Sequence, residues 1–166
     1  NELKIKIENR CIQENFIKTI IEVIDPDNCN IYINNEDLSG GTMKVSVGYK
    51  CISCVPLIGD FIVVTIKKNI KKLLLAESDP MRIIINLVAN NINKDNFHIN
   101  DNMEVVHNKT KKTLQNNDKI IVKFINTKFP QGEDYIYLYC YLYDTVNDNN
   151  ISLVKDNLEE IHEFLS

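Results

Sequence analysis

The fold is decided by the stretch YKCISCVPLIGDFIVVTI, which runs from Tyr49 to Ile66. Each end of this stretch is rich in β-branched and aromatic residues, a composition that favours extended backbone. Pro56 and Gly59 interrupt the apolar run, because proline lacks the amide hydrogen that a central strand donates and glycine adopts the backbone angles of a bend. The interruption predicts a junction between two β-rich parts of the chain.

Alternating apolar and polar residues predict strands on both sides of this junction. Before it, we expect a small antiparallel sheet with strands at 16–24, 30–33 and 42–47 and with turns at 25–28 and 34–41. After it, short apolar runs separated by polar turns fit a small all-β barrel, with strands at 61–66, 73–77, 81–88, 103–107, 119–125 and 135–142. The predicted fold class is therefore mostly β.

Two segments are expected to lie outside these sheets. The Asn-rich stretch 89–102 has no apolar period and predicts a solvated loop. Near the end of the sequence, Leu158, Ile161 and Leu165 recur at i, i+3 and i+7, after Asp156 or Asn157 as the N-cap. This spacing predicts a tail, residues 146–166, that contains one short amphipathic helix.

Composition excludes several broad classes of protein. The 166 residues carry a formal net charge of −4, which argues against a protein that coats nucleic acid with its whole surface. The five glycines form no GxGxxG or GxxxxGK loop of the kind that cradles phosphate groups. No stretch approaches the roughly 18 consecutive apolar residues of a membrane span, so we expect no membrane partner. Any polyanion site must therefore be local.

The residue types that bind metals or perform catalysis are sparse. Cys51 and Cys54 form a CxxC pair without the two further ligands of a structural zinc site, and strand alternation points their thiols to opposite faces. None of the three histidines, His98, His107 and His162, has a partner at the i, i+4 spacing of a helical metal site. We therefore predict no metal ligand, no cofactor and no catalytic residue.

Basic residues concentrate in two places. The first lysine cluster comprises Lys67, Lys68, Lys71 and Lys72, and the second comprises Lys109, Lys111 and Lys112. Both clusters are expected at turns of the barrel, where they could neutralise several phosphates of a single nucleic-acid strand. The alternative is that they are charged turns that only keep the protein soluble.

An aromatic ladder occupies the last predicted barrel strand, with a tyrosine at every second position from Tyr135 to Tyr143. A period of two places these rings on one face of the strand. Because the opposite face is apolar as well, we expect the tyrosines to pack in a core or against another subunit. Stacking on nucleic-acid bases is the alternative.

The order of these parts resembles the seventh subunit of RNA polymerase II and its archaeal counterpart. The resemblance rests on the strand 16–24, on Gly40-Gly41, and on the run from Gly48 through Pro56 to Gly59-Asp60. In that family, a motif of the form Y-K-a, P and G-[ED] joins a tip domain to an OB-fold domain. Residues 108–124 look like the family's hairpin and fourth barrel strand, and residues 135–143 look like its last strand.

The resemblance implies a tip domain at residues 1–56, an OB-type barrel at residues 57–145 and a non-catalytic stalk subunit. Its partners would be the large subunits of RNA polymerase, a fourth-subunit-like stalk partner and, weakly, the nascent RNA. The Asn-rich and Ile-rich composition looks like that of polymerases from large cytoplasmic DNA viruses, which implies the host cytoplasm and the virion, or the nucleus for a cellular eukaryotic protein. The second hypothesis is a free-standing OB-type protein that binds single-stranded nucleic acid or resembles a translation factor.

Overall fold

The computed structural model describes residues 2–24, 31–33, 43–45, 47–88, 91–154 and 159–164. Over these residues the protein is mostly β, which confirms the predicted fold class. In chain order, its elements are α1 (Glu2–Ile7), β1 (Arg10–Ile12), β2 (Asn15–Val23), β3 (Ile31–Ile33), β4 (Met43–Val45), β5 (Tyr49–Cys54), β6 (Phe61–Ile70), β7 (Leu73–Ser78), β8 (Met81–Asn86), β9 (Phe97–Ile99), β10 (Val105–His107), β11 (Lys119–Lys128), β12 (Ile136–Thr145), a 3-10 turn (Ile151–Leu153) and β13 (Glu159–Phe164). The turns expected at 25–28 and 34–41 lie outside the described residues.

Five strands close into a barrel in the order β11-β12-β8-β7-β6. All neighbouring pairs are antiparallel except β8 and β12, which run parallel. Each strand turns one row of apolar side chains inward, and on β8 burial alternates from residue to residue, as a period of two requires. Buried side chains such as Ile66, Leu74, Ile83, Phe124 and Leu138 fill the interior. The predicted barrel is therefore confirmed, except that the strand expected at 103–107 lies outside it, as β10 paired with β9.

The other main sheet has the order β1-β2-β5-β13, and β3 and β4 form a separate hairpin. On one face of this sheet, Ile17, Ile20 and Cys51 form a buried cluster against which Leu3 and Ile7 of α1 pack. On the other face, Phe16 belongs to the same buried cluster as the barrel interior. The sheet and the barrel therefore share one hydrophobic core.

Hydrogen bonds between backbones reinforce this contact. The N–H group of Cys11 on β1 donates to the carbonyl of Glu133 at 2.8 Å, and the N–H group of Gly132 donates to the carbonyl of Cys11 at 2.8 Å. At the junction between β5 and β6, Gly59 has a φ of 98°, a left-handed conformation that glycine adopts without strain. Its N–H group donates to the carbonyl of Phe124 on β11 at 3.0 Å.

The tail differs from the sequence prediction. Residues 159–164 form β13, antiparallel to β5 with Ile161 opposite Ile52, so the helix predicted from Leu158, Ile161 and Leu165 is wrong over these residues. Leu158 and Leu165 themselves lie outside the described residues. A short isolated helix is marginal in water, whereas pairing with the open edge of β5 satisfies backbone donors and acceptors of both strands. The first sheet is thus completed by a strand from the tail.

The Asn-rich segment also differs from its prediction. Residues 91–102 contain β9, which pairs with β10, and they bury Ile92 and Phe97. The expected solvated loop is therefore wrong over this range, while residues 89 and 90 lie outside the described part. Two apolar side chains five positions apart create no recognisable period, yet both enter the barrel core.

Candidate nucleic-acid interface

The structure brings the two lysine clusters to one end of the barrel. The first cluster lies on the end of β6 and on the turn to β7, and the second lies on the loop after β10. The chain that follows the second cluster runs along β6, where the N–H group of Asn117 donates to the carbonyl of Ile66 at 2.8 Å. The N–H group of Ile66 in turn donates to the carbonyl of Asp118 at 3.0 Å. Two clusters separated in sequence thus form one basic end.

An open cleft of about 520 Å³ lies between them. Lys71 of the first cluster lines one side, and the residues immediately after the second cluster line the other. The complete lining is Asn69, Lys71, Asn102, Met103, Glu104, Thr113, Leu114, Gln115 and Asn116. Four of these nine residues carry side-chain amides, which both donate and accept hydrogen bonds. The cleft therefore suits a polar ligand, and its charged groups are one lysine, Lys71, and one carboxylate, Glu104.

Two of the seven lysines already have carboxylate partners. Lys67 forms an ion pair with Glu77, and the Lys112 Nζ atom lies 2.9 Å from the Asp118 Oδ1 atom. The pKa of Asp118 is lowered below its ordinary value, because hydrogen bonds stabilise the carboxylate. The backbone N–H group of Gln115 has the largest effect and Lys112 the next largest. These two lysines are partly neutralised.

The other five lysines are exposed, and the described part of the chain gives them no ion-pair partner; they are Lys68, Lys71, Lys72, Lys109 and Lys111. An exposed lysine keeps a strongly hydrated point charge on a flexible stem. Such groups attract phosphates without fixing their geometry. The basic end therefore presents positive charge on flexible side chains without a fixed geometry.

One lysine in each cluster has a left-handed backbone. The φ angle is 34° at Lys71 and 57° at Lys111. This region is disfavoured for residues other than glycine, asparagine and aspartate, and each instance costs about 1 kcal/mol. At Lys111, the N–H group donates to the carbonyl of His107 at 2.9 Å, and the N–H group of His107 donates to the carbonyl of Lys112 at 2.9 Å. Tight backbone turns thus hold both lysines at the tips of their loops.

His107 is buried beneath the second lysine cluster. Its Nδ1 atom accepts a hydrogen bond from the N–H group of Thr110 at 3.2 Å, and its Nε2 atom lies 3.3 Å from the Asp144 Oδ1 atom. The Oδ2 atom of Asp144 accepts a hydrogen bond from the Nδ2 atom of Asn150 at 3.0 Å. The ring thus contacts the loop through Nδ1 and contacts Asp144 of β12 through Nε2, and it anchors the loop to the last barrel strand.

The aromatic ladder lies on the outside of the barrel. On β12, Ile136, Leu138, Cys140 and Leu142 are buried, whereas the tyrosines between them are half-buried or exposed. Packing of the ladder in a core, one of the two outcomes expected from sequence, is therefore wrong, whereas packing against another subunit stays a prediction. Both faces of the strand are apolar enough to be buried, but the tyrosine hydroxyl makes the outer face the more favourable place for these rings.

The buried cysteines fit a structural role. Cys51 packs in the cluster beneath α1, whereas Cys54 packs in the cluster shared with the barrel, so their thiols occupy opposite faces as predicted. Burial raises the pKa of Cys11 to about 11, with added effects from Glu133 and Asp134, and burial raises that of Cys140 to about 12. These thiols stay protonated at neutral pH, and a thiol is a poor nucleophile.

Two further findings concern only the described residues. They contain no group of three or more histidine, cysteine, aspartate or glutamate side chains placed to hold a metal ion. They also contain no helix that is both long enough and apolar enough to span a bilayer.

No protein-family model and no curated protein matches this chain. Its function has to be inferred from the barrel, the basic end and the outer face described above.

Proposed function

We propose that this chain is a non-catalytic stalk subunit of a multisubunit DNA-dependent RNA polymerase. In this proposal the N-terminal sheet docks on the polymerase core, and the barrel lies near the exiting RNA. The observation that favours the stalk over other OB-type proteins is the core that the N-terminal sheet shares with the barrel, and the strand order of the barrel supports the contact with nucleic acid. If the five barrel strands β6, β7, β8, β11 and β12 are numbered 1 to 5 in chain order, their order around the barrel is 1-2-3-5-4. Strand 4 then pairs with strand 1, and strands 3 and 5 are parallel.

That order supports an OB-type barrel, a fold that repeatedly binds oligonucleotides. The loop between β6 and β7 is one of the two loops through which such barrels contact their ligands, and it carries Lys71 and Lys72. The other is the loop between β11 and β12, and it is bonded to β1 through Gly132 and Glu133. The basic end is therefore the accessible one.

The shared core supports a role in which two parts act as one body. Cys11, Phe16 and Cys54 of the first sheet belong to the barrel's buried cluster. A subunit that docks through its sheet would therefore hold its barrel at a fixed place relative to the enzyme. This rigidity is what a stalk requires, whereas a free nucleic-acid binder has no need of it.

The free-standing OB-type protein, whether it binds single strands or resembles a translation factor, remains the second candidate. The same barrel and the same basic end support it. The two candidates differ in what the first sheet does, because only a stalk subunit must dock through it on a larger enzyme.

Affinity purification of the tagged full chain from its native cells, with mass spectrometry, tests the docking. Co-purification of large polymerase subunits would support the stalk, and their identity would show whether the polymerase is viral or cellular. Recovery of the chain with RNA but without polymerase subunits would favour the second candidate.

A salt titration tests the contact with RNA. We expect single-stranded RNA to bind weakly. The logarithm of the association constant should fall linearly with the logarithm of the salt concentration, with a slope of about −0.7 for each phosphate neutralised. Replacing Lys71, Lys72, Lys111 and Lys112 with serine should lower the affinity and flatten this slope. A second variant replaces only Lys71 and Lys111 with serine. Its matched control replaces two lysines that are exposed on α1, Lys4 and Lys6, with serine. Equal effects of the two double variants would assign the lysine clusters to solubility.

A further inference from the structure

The outer face of β12 presents the aromatic ladder to solvent between two strands that carry cations. We infer that this face is a stacking platform for the bases of a single nucleic-acid strand, centred on Tyr139 and Tyr141. The inference deepens the proposed function and rests on it, because it names a second contact with the same RNA. It differs from the lysine clusters in its chemistry, since stacking depends on aromatic rings rather than on charge.

Strand register sets the layout of this platform. Tyr137 lies opposite Arg82 on β8 and opposite Lys128 on β11, so a cation flanks it on each side. One step along the ladder, Tyr139 lies between Ile84 on β8 and Asn126 on β11.

The next ring, Tyr141, lies opposite Lys123 on β11. Every second residue of a strand is about 6.8 Å from the last, twice the roughly 3.4 Å step between stacked bases. The backbone repeat of the ladder therefore corresponds to every second base of a stacked single strand.

Ring contacts distinguish the ends of the ladder from its centre. Tyr135 and Tyr137 pack edge to face with ring centroids 4.9 Å apart, and the Arg82 guanidinium covers Tyr135 at 3.6 Å. At the other end, Tyr143 packs against Phe61 at 4.9 Å. Among the described residues, Tyr139 and Tyr141 have no such ring partner, and Tyr139 is 40 % exposed. The two central rings are thus the ones available to a base.

The charges around the platform favour an anionic occupant. The directly opposite neighbours of Tyr137, Tyr139 and Tyr141 include three cations and no carboxylate; these neighbours are Arg82, Ile84, Lys123, Asn126 and Lys128. The nearest carboxylates are one strand or more away or beyond the ends of the ladder: Glu77 on β7 lies opposite Arg82 and is ion-paired with Lys67, and Glu133 precedes Tyr135. Aromatic rings flanked by cations that can neutralise phosphates are the usual composition of a surface that binds single strands.

The test uses the full chain and a fluorescent oligouridylate of about 12 nucleotides at about 50 mM salt. Replacing Tyr139 and Tyr141 with alanine should weaken binding by about 5- to 150-fold for each ring that stacks. The salt slope should stay unchanged, because removing a ring releases no counterions. The matched controls are Tyr139→Phe with Tyr141→Phe, which keeps both rings, and Ile125→Ala, which removes an exposed apolar side chain from β11.

A second readout follows from composition. The chain has no tryptophan and seven tyrosines, so its intrinsic emission comes from tyrosine and should be quenched when the oligonucleotide stacks. The alanine pair should lose most of this quenching together with its affinity, and the phenylalanine pair should keep its affinity while losing most of the quenching, since five tyrosines away from the platform centre remain.

Three other outcomes would contradict the stacking platform, and they show whether the RNA contact at the basic end is contradicted as well. If the alanine pair binds as the parent chain does while the lysine variants bind less, the platform is overturned and the RNA contact at the basic end stands. If the parent chain binds no oligonucleotide at this salt concentration, both RNA contacts are overturned. If the alanine pair keeps its RNA affinity but no longer co-purifies with polymerase subunits, the face docks a protein and the inference is wrong.

Discussion

His107 and Asp144 join the loop that carries the second lysine cluster to the last strand of the barrel, with the Nε2 and Oδ1 atoms 3.3 Å apart. Both side chains are largely buried, and both make further hydrogen bonds on their far sides. Loss of the ring would leave a buried carboxylate and a backbone donor with fewer partners, a destabilising change. The loop therefore depends on this pair for its position.

We expect His107→Ala to lower the free energy of unfolding by about 2 to 3 kcal/mol, because it removes a buried ring and these hydrogen bonds. It should also weaken RNA binding at the basic end by freeing the loop. Urea denaturation checks the first effect, with Lys109→Ala in the same loop as the control that should change stability little. A stability equal to that of the parent chain would contradict an anchoring role for His107.

The Asp118 carboxylate should make stability depend on pH. Its pKa is lowered by the N–H group of Gln115 and then by Lys112, so the folded state favours the ionised form. The stabilisation is complete above the ordinary aspartate pKa of about 3.9 and is lost as the pH falls through the lowered pKa of the folded state. Asp118→Asn should therefore cost about 1 kcal/mol at neutral pH. The difference from the parent chain should shrink in denaturation curves recorded at acid pH; a constant difference would contradict this origin.

The left-handed lysines separate stability from binding. Lys71→Gly and Lys111→Gly should each leave the free energy of unfolding unchanged or raise it by up to about 1 kcal/mol, since glycine adopts positive φ without strain. Each should nonetheless lower the affinity for RNA. Lys109→Gly is the matched control, because Lys109 does not have positive φ and the change should cost about 0.5 to 1 kcal/mol. Thermal denaturation of the three variants side by side decides the matter.

Phe16→Ala should destabilise the sheet and the barrel together. The side chain is 3 % exposed and lies in the core that the two parts share. Truncating a buried phenylalanine costs about 3 to 5 kcal/mol. We expect far-ultraviolet circular dichroism to show one unfolding transition in the parent chain and one at lower denaturant in the variant. Two separate transitions, with only the first shifted, would mean that the barrel is stable by itself.

The buried thiols should resist labelling. In a Cys29→Ser chain, which removes the one cysteine outside the described residues, a maleimide should react with Cys11, Cys51, Cys54 and Cys140 only after denaturation. Burial explains the protection, and the raised pKa values of Cys11 and Cys140 keep the thiolate scarce at neutral pH. Mass spectrometry of the native and urea-treated protein counts the labels. Fast labelling of any of the four under native conditions would be incompatible with this packing.

Local pattern was enough to predict most of the barrel. The apolar runs beginning at Phe61, Leu73, Met81 and Lys119 coincide with the starts of β6, β7, β8 and β11, because a barrel strand buries one row of side chains and shows it as alternation. The turn at Lys71 and Lys72 and the loop of the second lysine cluster could be recognised for the same reason, whereas Lys67 and Lys68, also expected at a turn, lie on β6. The meeting of the two clusters at one end of the barrel could not be recognised, since it depends on the pairing of Ile66 with residues 117 and 118.

The misplaced elements share a physical cause. In the tail, the residues around Ile161 fit a helical period, but their partner is β5, far away in sequence, and such pairing leaves no local signal. On β12, alternation separates Tyr139 from Leu138 correctly but does not say which row faces inward. Which row faces inward depends on the neighbouring strands, whose buried side chains form an aliphatic interior into which Leu138 packs.

The pairing of β13 with β5 also bears on how the protein is made. A ribosome delivers β5 before it delivers any barrel strand, and it delivers β13 only after all of them. Throughout translation of the barrel, the edge of β5 is an open template to which another nascent chain could add a strand. The yield of soluble protein should therefore depend on synthesis rate and chaperone supply as well as on the final stability of the fold.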